Sequence, residues 1–402
     1  VPLFRTDPSR IFADRRALDP SFIPSRLPHR EEEVERLVLD LSPAARGERP
    51  TNVLIYGKTG TGKTAVTRFV GRALNEESGG RAKYVHVNCE ISYTPFLVLT
   101  KILSELRGGQ PEAYTGFSQD YVYGKILSAV SASGVSLVVA LDEMDRLMAR
   151  GGEGLLYLLL DANERLDSGS IGVIGIANDI GITRGLDPRV RSRLSEDKIV
   201  FPPYTTTQLM DILRDRARVA LRPGTWDDGV LELIALTAAA EHGDARRAIE
   251  LLRLAGDIAD SRGSDRITEE HVVEARRRAE EDYLRRLVET LPLHQKAVLM
   301  AICELLNRGA PMITMSVLYG AYSNIVSFAG LQPLTQRRVR DFVHDLATMG
   351  LISAEVRSFG REGRTTVVTA KSDPAKLRQI LLQDELLGSL GGGGFGGQRT
   401  LL

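Results

Sequence analysis

Gly57-Lys58-Thr59-Gly60-Thr61-Gly62-Lys63-Thr64 is the stretch on which the reading of this chain turns. It follows the apolar run Asn52–Tyr56 and leads into a helical pattern, so it meets G-x-x-x-x-G-K-[ST] in the strand–loop–helix setting that motif requires. Glycines let backbone N–H groups turn inward around phosphate oxygens, and the following helix adds the positive end of its dipole. Lys58, Thr59, Gly60, Thr61 and Gly62 are then the cradle, Lys63 reaches the β- and γ-phosphates, and the Thr64 hydroxyl is the expected ligand of Mg2+.

The surroundings agree. From residue 52 to about 201 the chain alternates short β-branched runs with longer helical stretches, the further runs being Tyr84–Val87, Ser136–Leu141, Ile171–Ala177 and Lys198–Phe201. Continuous apolar strands separated by helices read as a parallel sheet covered on both faces. The run Ser136–Leu141 ends in Asp142-Glu143, which sets one carboxylate to hold a metal ion and a second to orient or deprotonate an attacking water. Asn178 ends the neighbouring run, where its amide can bond both water and γ-phosphate. Arg193, just before the last run, and Arg246, at the start of a later helix, are candidates to neutralise charge developing on the γ-phosphate, from the same chain or a neighbour.

Beyond the strands, residues 205–290 carry no strand signal and are dense in Leu, Ala, Glu and Arg, which predicts a helical lid. The expected layout is a nucleotide-binding α/β domain over 1–204, the lid over 205–290, a third domain over 291–388 and a flexible glycine-rich tail over 389–402. No apolar run approaches the roughly 18–20 residues that span a bilayer, and the first residues lack the apolar core of a secretory signal. Cys89 and Cys303 fit no metal or disulfide spacing, so the expected compartment is the reducing cytoplasm. Formal charge is zero, yet 14 basic and 9 acidic residues from Arg285 onward leave that third at +5, which directs an anionic partner there.

Together these motifs resemble an AAA+ ATPase, and more closely the archaeal and eukaryotic origin-recognition/cell-division-control initiator family. Pro24-Ser25-Arg26-Leu27-Pro28-His29-Arg30-Glu31, the phosphate loop, Asn88-Cys89, Phe201-Pro202-Pro203-Tyr204 and Gly243-Asp244-Ala245-Arg246-Arg247-Ala248 carry the resemblance, which runs from about Phe12 to Ala370. It implies a five-stranded parallel sheet with a helical lid, followed by a C-terminal winged helix. It also implies that Leu27, Pro28, His29 and Arg30 border the adenine, that Tyr204 packs near the base and that Arg216 faces the nucleotide. Arg246 would be a lid sensor acting in cis, and Arg193 a finger offered to a neighbouring subunit. Slow turnover of ATP and tightly held ADP would make nucleotide state a switch. The segment 91–125 matches the position of a family insertion that touches DNA, although it holds few basic residues (Lys101, Arg107, Lys125).

Residues 293–370 resemble a winged helix. Thr335 is the expected N-cap of a helix over Gln336–Met349, whose Val339, Phe342, Val343 and Leu346 share one face. Arg337, Arg340, Asp341 and His344 fall roughly opposite, with Arg338 on the flank, as a major-groove recognition helix needs. A hairpin of Ile352–Val356 and Thr366–Thr369 carries Arg357, Arg361 and Arg364 near its tip, where a wing reaches phosphates or the minor groove. The expected function is an ATP-dependent replication initiator that binds double-stranded origin DNA, acts with further copies of itself and helps load the replicative helicase at the nucleoid. A clamp-loader-like or remodelling ATPase with non-specific DNA binding, and a nucleotide-gated protein scaffold, are the alternatives.

Overall fold

A computed structural model describes residues 8–109, 116–241, 243–310, 312–358, 364–384 and 387–388, with backbone alone for 180, 358, 364 and 365. The chain divides into two compact units, Val1–Ala275 and Arg276–Leu402.

The first unit is built on five parallel strands, β1 (Val53–Gly57), β2 (Ala82–Asn88), β3 (Ser136–Asp142), β4 (Ser170–Ala177) and β5 (Asp197–Phe201), in the order β2-β3-β4-β1-β5. Strand side chains alternate between faces, and here both faces are apolar. Leu54, Val85, Val87, Leu137, Val139, Leu141, Ile171 and Val173 pack on one side against α3 (Pro95–Leu106), α4 (Gln119–Ser133), α5 (Met144–Met148), α6 (Glu153–Asp161) and α7 (Pro188–Leu194). Val53, Ile55, Val138, Ala140, Ile174, Ile176, Ile199 and Phe201 pack on the other against α1 (Glu31–Ala45) and α2 (Lys63–Glu77). β1 and β3 are buried along most or all of their length, which is why each reads as an unbroken apolar run. Strands β2 to β5 extend the expected runs by one or two residues at an end and β1 is shifted by one, so that Gly57 and Asp142 themselves close β1 and β3.

The lid follows as α8 (Thr206–Ala220), α9 (Asp228–Ala240), α10 (Ala245–Ser261) and the first residues of α11 (Glu269–Thr290). Each of α8, α9 and α10 starts at a side-chain cap: Thr205, in a reciprocal capping box with Gln208, then Asp227, then Asp244. The chain before α1 lies on this lid. Ile11 and Leu18 are buried, Phe12 bridges to Leu221, and Arg15 pairs with Asp257 at 2.8 Å.

The second unit holds the remainder of α11, α12 (Leu293–Asn307), β6 (Ile313–Thr314), α13 (Met315–Phe328), α14 (Gln336–Thr348), β7 (Ile352–Ser358), β8 (Arg364–Ala370) and α15 (Pro374–Leu381). Its antiparallel sheet runs β6-β8-β7, so the expected hairpin gains a third, two-residue strand. Helices α12, α13 and α14 share one core with the sheet through Val298, Ile302, Leu318, Tyr322, Val339, Phe342, Val343 and Val368. The tip of the hairpin with Arg361, the side chain of Arg364 and the glycine-rich tail from 389 fall outside the described residues. Among the described residues no helix is long and apolar enough to cross a membrane.

Candidate functional site

The phosphate loop leaves β1 at Gly57 and enters α2 at Lys63. Gly62 occupies the N-cap position with φ 95°, a left-handed conformation that glycine adopts without penalty, and no side chain caps the helix. The first amides of α2 are thus left to an external acceptor, and an anion suits both their hydrogens and the helix dipole. Lys63 Nζ donates to the carbonyl oxygens of Gly57 (2.6 Å) and Lys58 (2.8 Å) and to Oδ1 of Asn178 (3.1 Å). Burial holds this ammonium below the usual lysine range, and the positive charge of Arg246 adds to that, while Asp142, Asp145 and Glu143 oppose it. The structure therefore brings Lys63, Asn178 and Arg246 into one electrostatic neighbourhood, two cations and an amide around a site for polyphosphate.

Asp142, at the end of β3, receives the Thr64 hydroxyl on Oδ2 at 2.9 Å and the Glu143 amide on Oδ1 at 3.1 Å. His86 Nε2 stands 3.3 Å from the same Oδ2 without the alignment of a full hydrogen bond. Burial pushes this carboxyl up, but the close approach of His86, the Thr64 hydroxyl and the charge of Arg68 outweigh it and hold it below its ordinary value. Its neighbour behaves in the opposite way. Glu143 sits in a left-handed backbone conformation (φ 54°, ψ 45°), and burial, followed by the charges of Glu90, Asp142 and Asp145, raises its carboxyl above the usual range. One carboxylate kept ionised beside a hydroxyl and a second made more basic are the pair that metal binding and water activation call for.

The lid reaches this loop directly. The Ala245 amide donates to the Gly60 carbonyl at 3.1 Å, and a Cβ at Gly60 would stand only 1.7 Å from Asp244 Oδ1. Gly60 is therefore required by close approach as well as by its φ of 72°. From the other side Arg30, only 2% exposed, donates from Nε to the Thr61 carbonyl at 2.9 Å and from Nη2 to the Pro202 carbonyl at 2.6 Å. Its guanidinium lies over the Tyr204 ring at 3.9 Å. Arg30 and Tyr204 thus brace the phosphate loop. His29, at φ 62°, pairs with Asp211 of α8 at 2.9 Å, and Leu27 packs on the core beneath α1.

Two further arginines have partners within the single chain. Arg216 is buried, bonded to the carbonyls of Ala17 (3.1 Å) and Phe22 (3.4 Å), with its guanidinium over the Phe22 ring. Burial alone draws it down to about 10. It fastens the segment before α1 to the lid. Arg193 donates to Asp161 (2.6 Å) and Glu164 (2.8 Å), a clamp between α7 and the end of α6 that the linear sequence does not announce.

In the second unit Thr335 caps α14 through the Arg338 amide at 3.4 Å. Val339, Phe342, Val343 and Leu346 are buried, while Arg337, Arg340, Asp341 and His344 are exposed. Arg338 folds over the Phe342 ring, 5.0 Å from its centre, and approaches Asp341 at 3.8 Å. Arg357 of β7 is exposed and pairs with Glu355 at 3.2 Å. Counting basic residues in 91–125 missed an exposed aromatic pair: Phe117 and Tyr121 stack with centroids 4.6 Å apart, and Lys125 lies over Tyr121.

Comparison with known proteins accords with this geometry. Family models match residues 26–175 as an AAA ATPase domain, 210–277 as a Cdc6 AAA+ ATPase-type lid domain and 286–379 as a CDC6 C-terminal winged helix domain. The ORC1-type DNA replication protein 1 of Sulfurisphaera tokodaii is 42% identical over 383 residues, covering 95% of this chain and 96% of that protein. A structure of the Aeropyrum pernix ORC1 protein in complex with DNA is 40% identical, with a TM-score of 0.84 over 95% of this chain and 100% of that one. The Aeropyrum pernix ORC2 protein in its ADPNP–ADP complexes is 25% identical, with a TM-score of 0.62 over 95% and 100%. With the phosphate loop, its Asp-Glu strand, a lid docked on the loop and a winged helix in one chain, this ATPase belongs to the ORC1-type DNA replication protein family.

Proposed function

We propose that this protein uses bound ATP and ADP as the two states of a switch, binds double-stranded origin DNA at the nucleoid, and helps load the replicative helicase. The observation that carries the DNA reading is α14: its apolar face is consumed by the core, and Arg337 and Arg340 are left outward near its N-terminus. The related ORC1 protein was solved with DNA, and the related ORC2 protein with ADPNP and ADP. In the first unit, the exposed Phe117–Tyr121 stack with Lys125 supports a second DNA contact, since a lysine and a tyrosine on one surface suit the sugar–phosphate edge of a duplex.

For hydrolysis, Thr64 Oγ1 and Asp142 Oδ2 lie 2.9 Å apart at the foot of the loop, two hard oxygens of the kind a Mg2+ ion takes together with phosphate oxygens. Thr64 and Asp142 would hold Mg2+, which when bound would supply charge neutralisation on the phosphates. Lys63 holds the β- and γ-phosphates, Asn178 orients the γ-phosphate, and Glu143, with its raised basicity, takes the proton of the attacking water. Arg246 adds positive charge from the lid in cis, and Arg193 is offered to a second copy once released from Asp161 and Glu164.

A loading assay tests the helicase step. Replicative helicase is mixed with origin DNA and this protein carrying ATP, washed at high salt, and the retained helicase is measured. Retention should require wild-type protein and fall to background with Lys63→Ala; equal retention without the initiator would overturn the loading role.

A further inference from the structure

Tyr84 and His86 lie two residues apart on β2, on the face that packs against α2, and neither belongs to the loop or to the Asp-Glu pair. In register, His86 faces Ala140 of β3, two positions before Asp142. The Tyr84 hydroxyl is 3.2 Å from His86 Nδ1, and His86 Nε2 is 3.3 Å from Asp142 Oδ2, the oxygen that also receives Thr64. The histidine and aspartate side chains are 13% and 7% exposed, so water offers little competition. Nε2 is itself a buried polar atom with no aligned hydrogen-bond partner, and the nearest carboxylate oxygen to it is the one to which Thr64 donates.

The chemistry of the three groups fixes the direction of the chain. An ionised carboxylate only accepts, so the nitrogen facing Asp142 must carry the proton, and in a neutral ring Nδ1 must then accept. Tyr84 can supply that hydrogen: its hydroxyl is buried, which raises it well above the ordinary tyrosine value and keeps it protonated. Histidine rings and carboxylates around metal sites are regularly steered by such outer partners.

We propose that Tyr84 and His86 form a positioning relay that turns Asp142 Oδ2 toward Thr64 and so sets the affinity of the site for a divalent cation. The proposal rests on Asp142 being the cation's carboxylate ligand. Without His86 the carboxylate keeps its bonds from Thr64 and the Glu143 amide but loses the contact on its third side. Its orientation then loosens, while the phosphate loop is untouched.

The test is Mn2+ binding, read by electron paramagnetic resonance on the full chain saturated with a non-hydrolysable ATP analogue. Nucleotide affinity is measured in parallel with all divalent cations chelated. His86→Phe should weaken Mn2+ by about tenfold or more, in the range typical of lost outer-shell partners. His86→Gln, whose amide nitrogen can reach the place of Nε2, should restore most of that, and Tyr84→Phe should fall between. Cation-free nucleotide affinity should be the same in all of them, which also shows that each variant is folded. Mn2+ affinity in His86→Phe equal to wild type, or His86→Gln as weak as His86→Phe, would overturn the relay. Asp142→Asn separates the two levels. If it too binds Mn2+ like wild type, the cation assignment fails, and the relay fails with it. If it alone loses Mn2+, only the relay is wrong.

Discussion

At the scale of single residues, charge is buried where a partner replaces water, and Arg30 and Lys63 show it. Arg30 is buried because carbonyl oxygens of Thr61, His29 and Pro202 accept its hydrogens and Tyr204 covers its face. Lys63 has two carbonyls and Asn178 in place of water. Asp40 is less well served. It lies on α1 beside Asp197 of β5, whose carboxylate is already taken by Arg36, and its Oδ2 is buried without a partner. Burial, then the neighbouring Asp197 charge, lifts Asp40 to about 6 from 3.8. A carboxyl raised in the folded state stabilises below its unfolded value, and that contribution is lost as pH rises through about 6. Asp40→Asn should therefore raise the melting temperature at a pH of about 7.5 and change it little at about 4.5. A gain of the same size at both pH values would contradict this account of the pair.

The motif residues were legible in sequence because phosphate and metal chemistry demand particular side chains at fixed spacing. Their supports were not. Arg30 as a brace, Asp244 against Gly60 and the clamp of Arg193 by Asp161 and Glu164 join positions far apart along the chain, which no local pattern records.

Among elements, α14 shows how a helix was readable from periodicity. Its four buried positions repeat at helical spacing and its cap is a threonine, so both its face and its start were expected, and its end differs by one residue. Strand β6 shows the converse. Two residues, Ile313–Thr314, are too short to carry an alternation, and they join the sheet only because β8 offers Val367 and Val368 across from them. In the chain before α1, Ile11, Ala17 and Leu18 bury against the lid, a tertiary contact that no local periodicity announces. The cap makes a prediction at this scale. Thr335→Ala removes the bond to the Arg338 amide and should cost about 1 kcal/mol, the usual worth of an N-cap. Amide exchange across 336–348 in the full chain should speed up accordingly, and unchanged protection there would show that the core alone sets the helix start.

For the whole molecule, the phosphate loop and the lid docked on it lie in the first unit, and the surplus of positive charge lies in the second. Arg193 belongs to the scale of assembly. In the single chain it binds its own carboxylates, so Arg193→Ala should leave ATP affinity of the monomer unchanged and lower only the hydrolysis that rises when copies meet on DNA. Loss of ATP binding by the monomer would mean that the residue acts in cis. The central claim is that this chain reads origin sequence through α14. Fluorescence anisotropy at two salt concentrations, with origin and shuffled duplexes of equal length, tests it most directly. Wild type should prefer origin DNA at both salts, Arg337→Ala/Arg340→Ala should abolish that preference, and Arg361→Ala/Arg364→Ala should weaken binding to both duplexes alike. Equal and steeply salt-sensitive binding of wild type to the two duplexes would contradict the claim and leave an ATPase with only a non-specific hold on DNA.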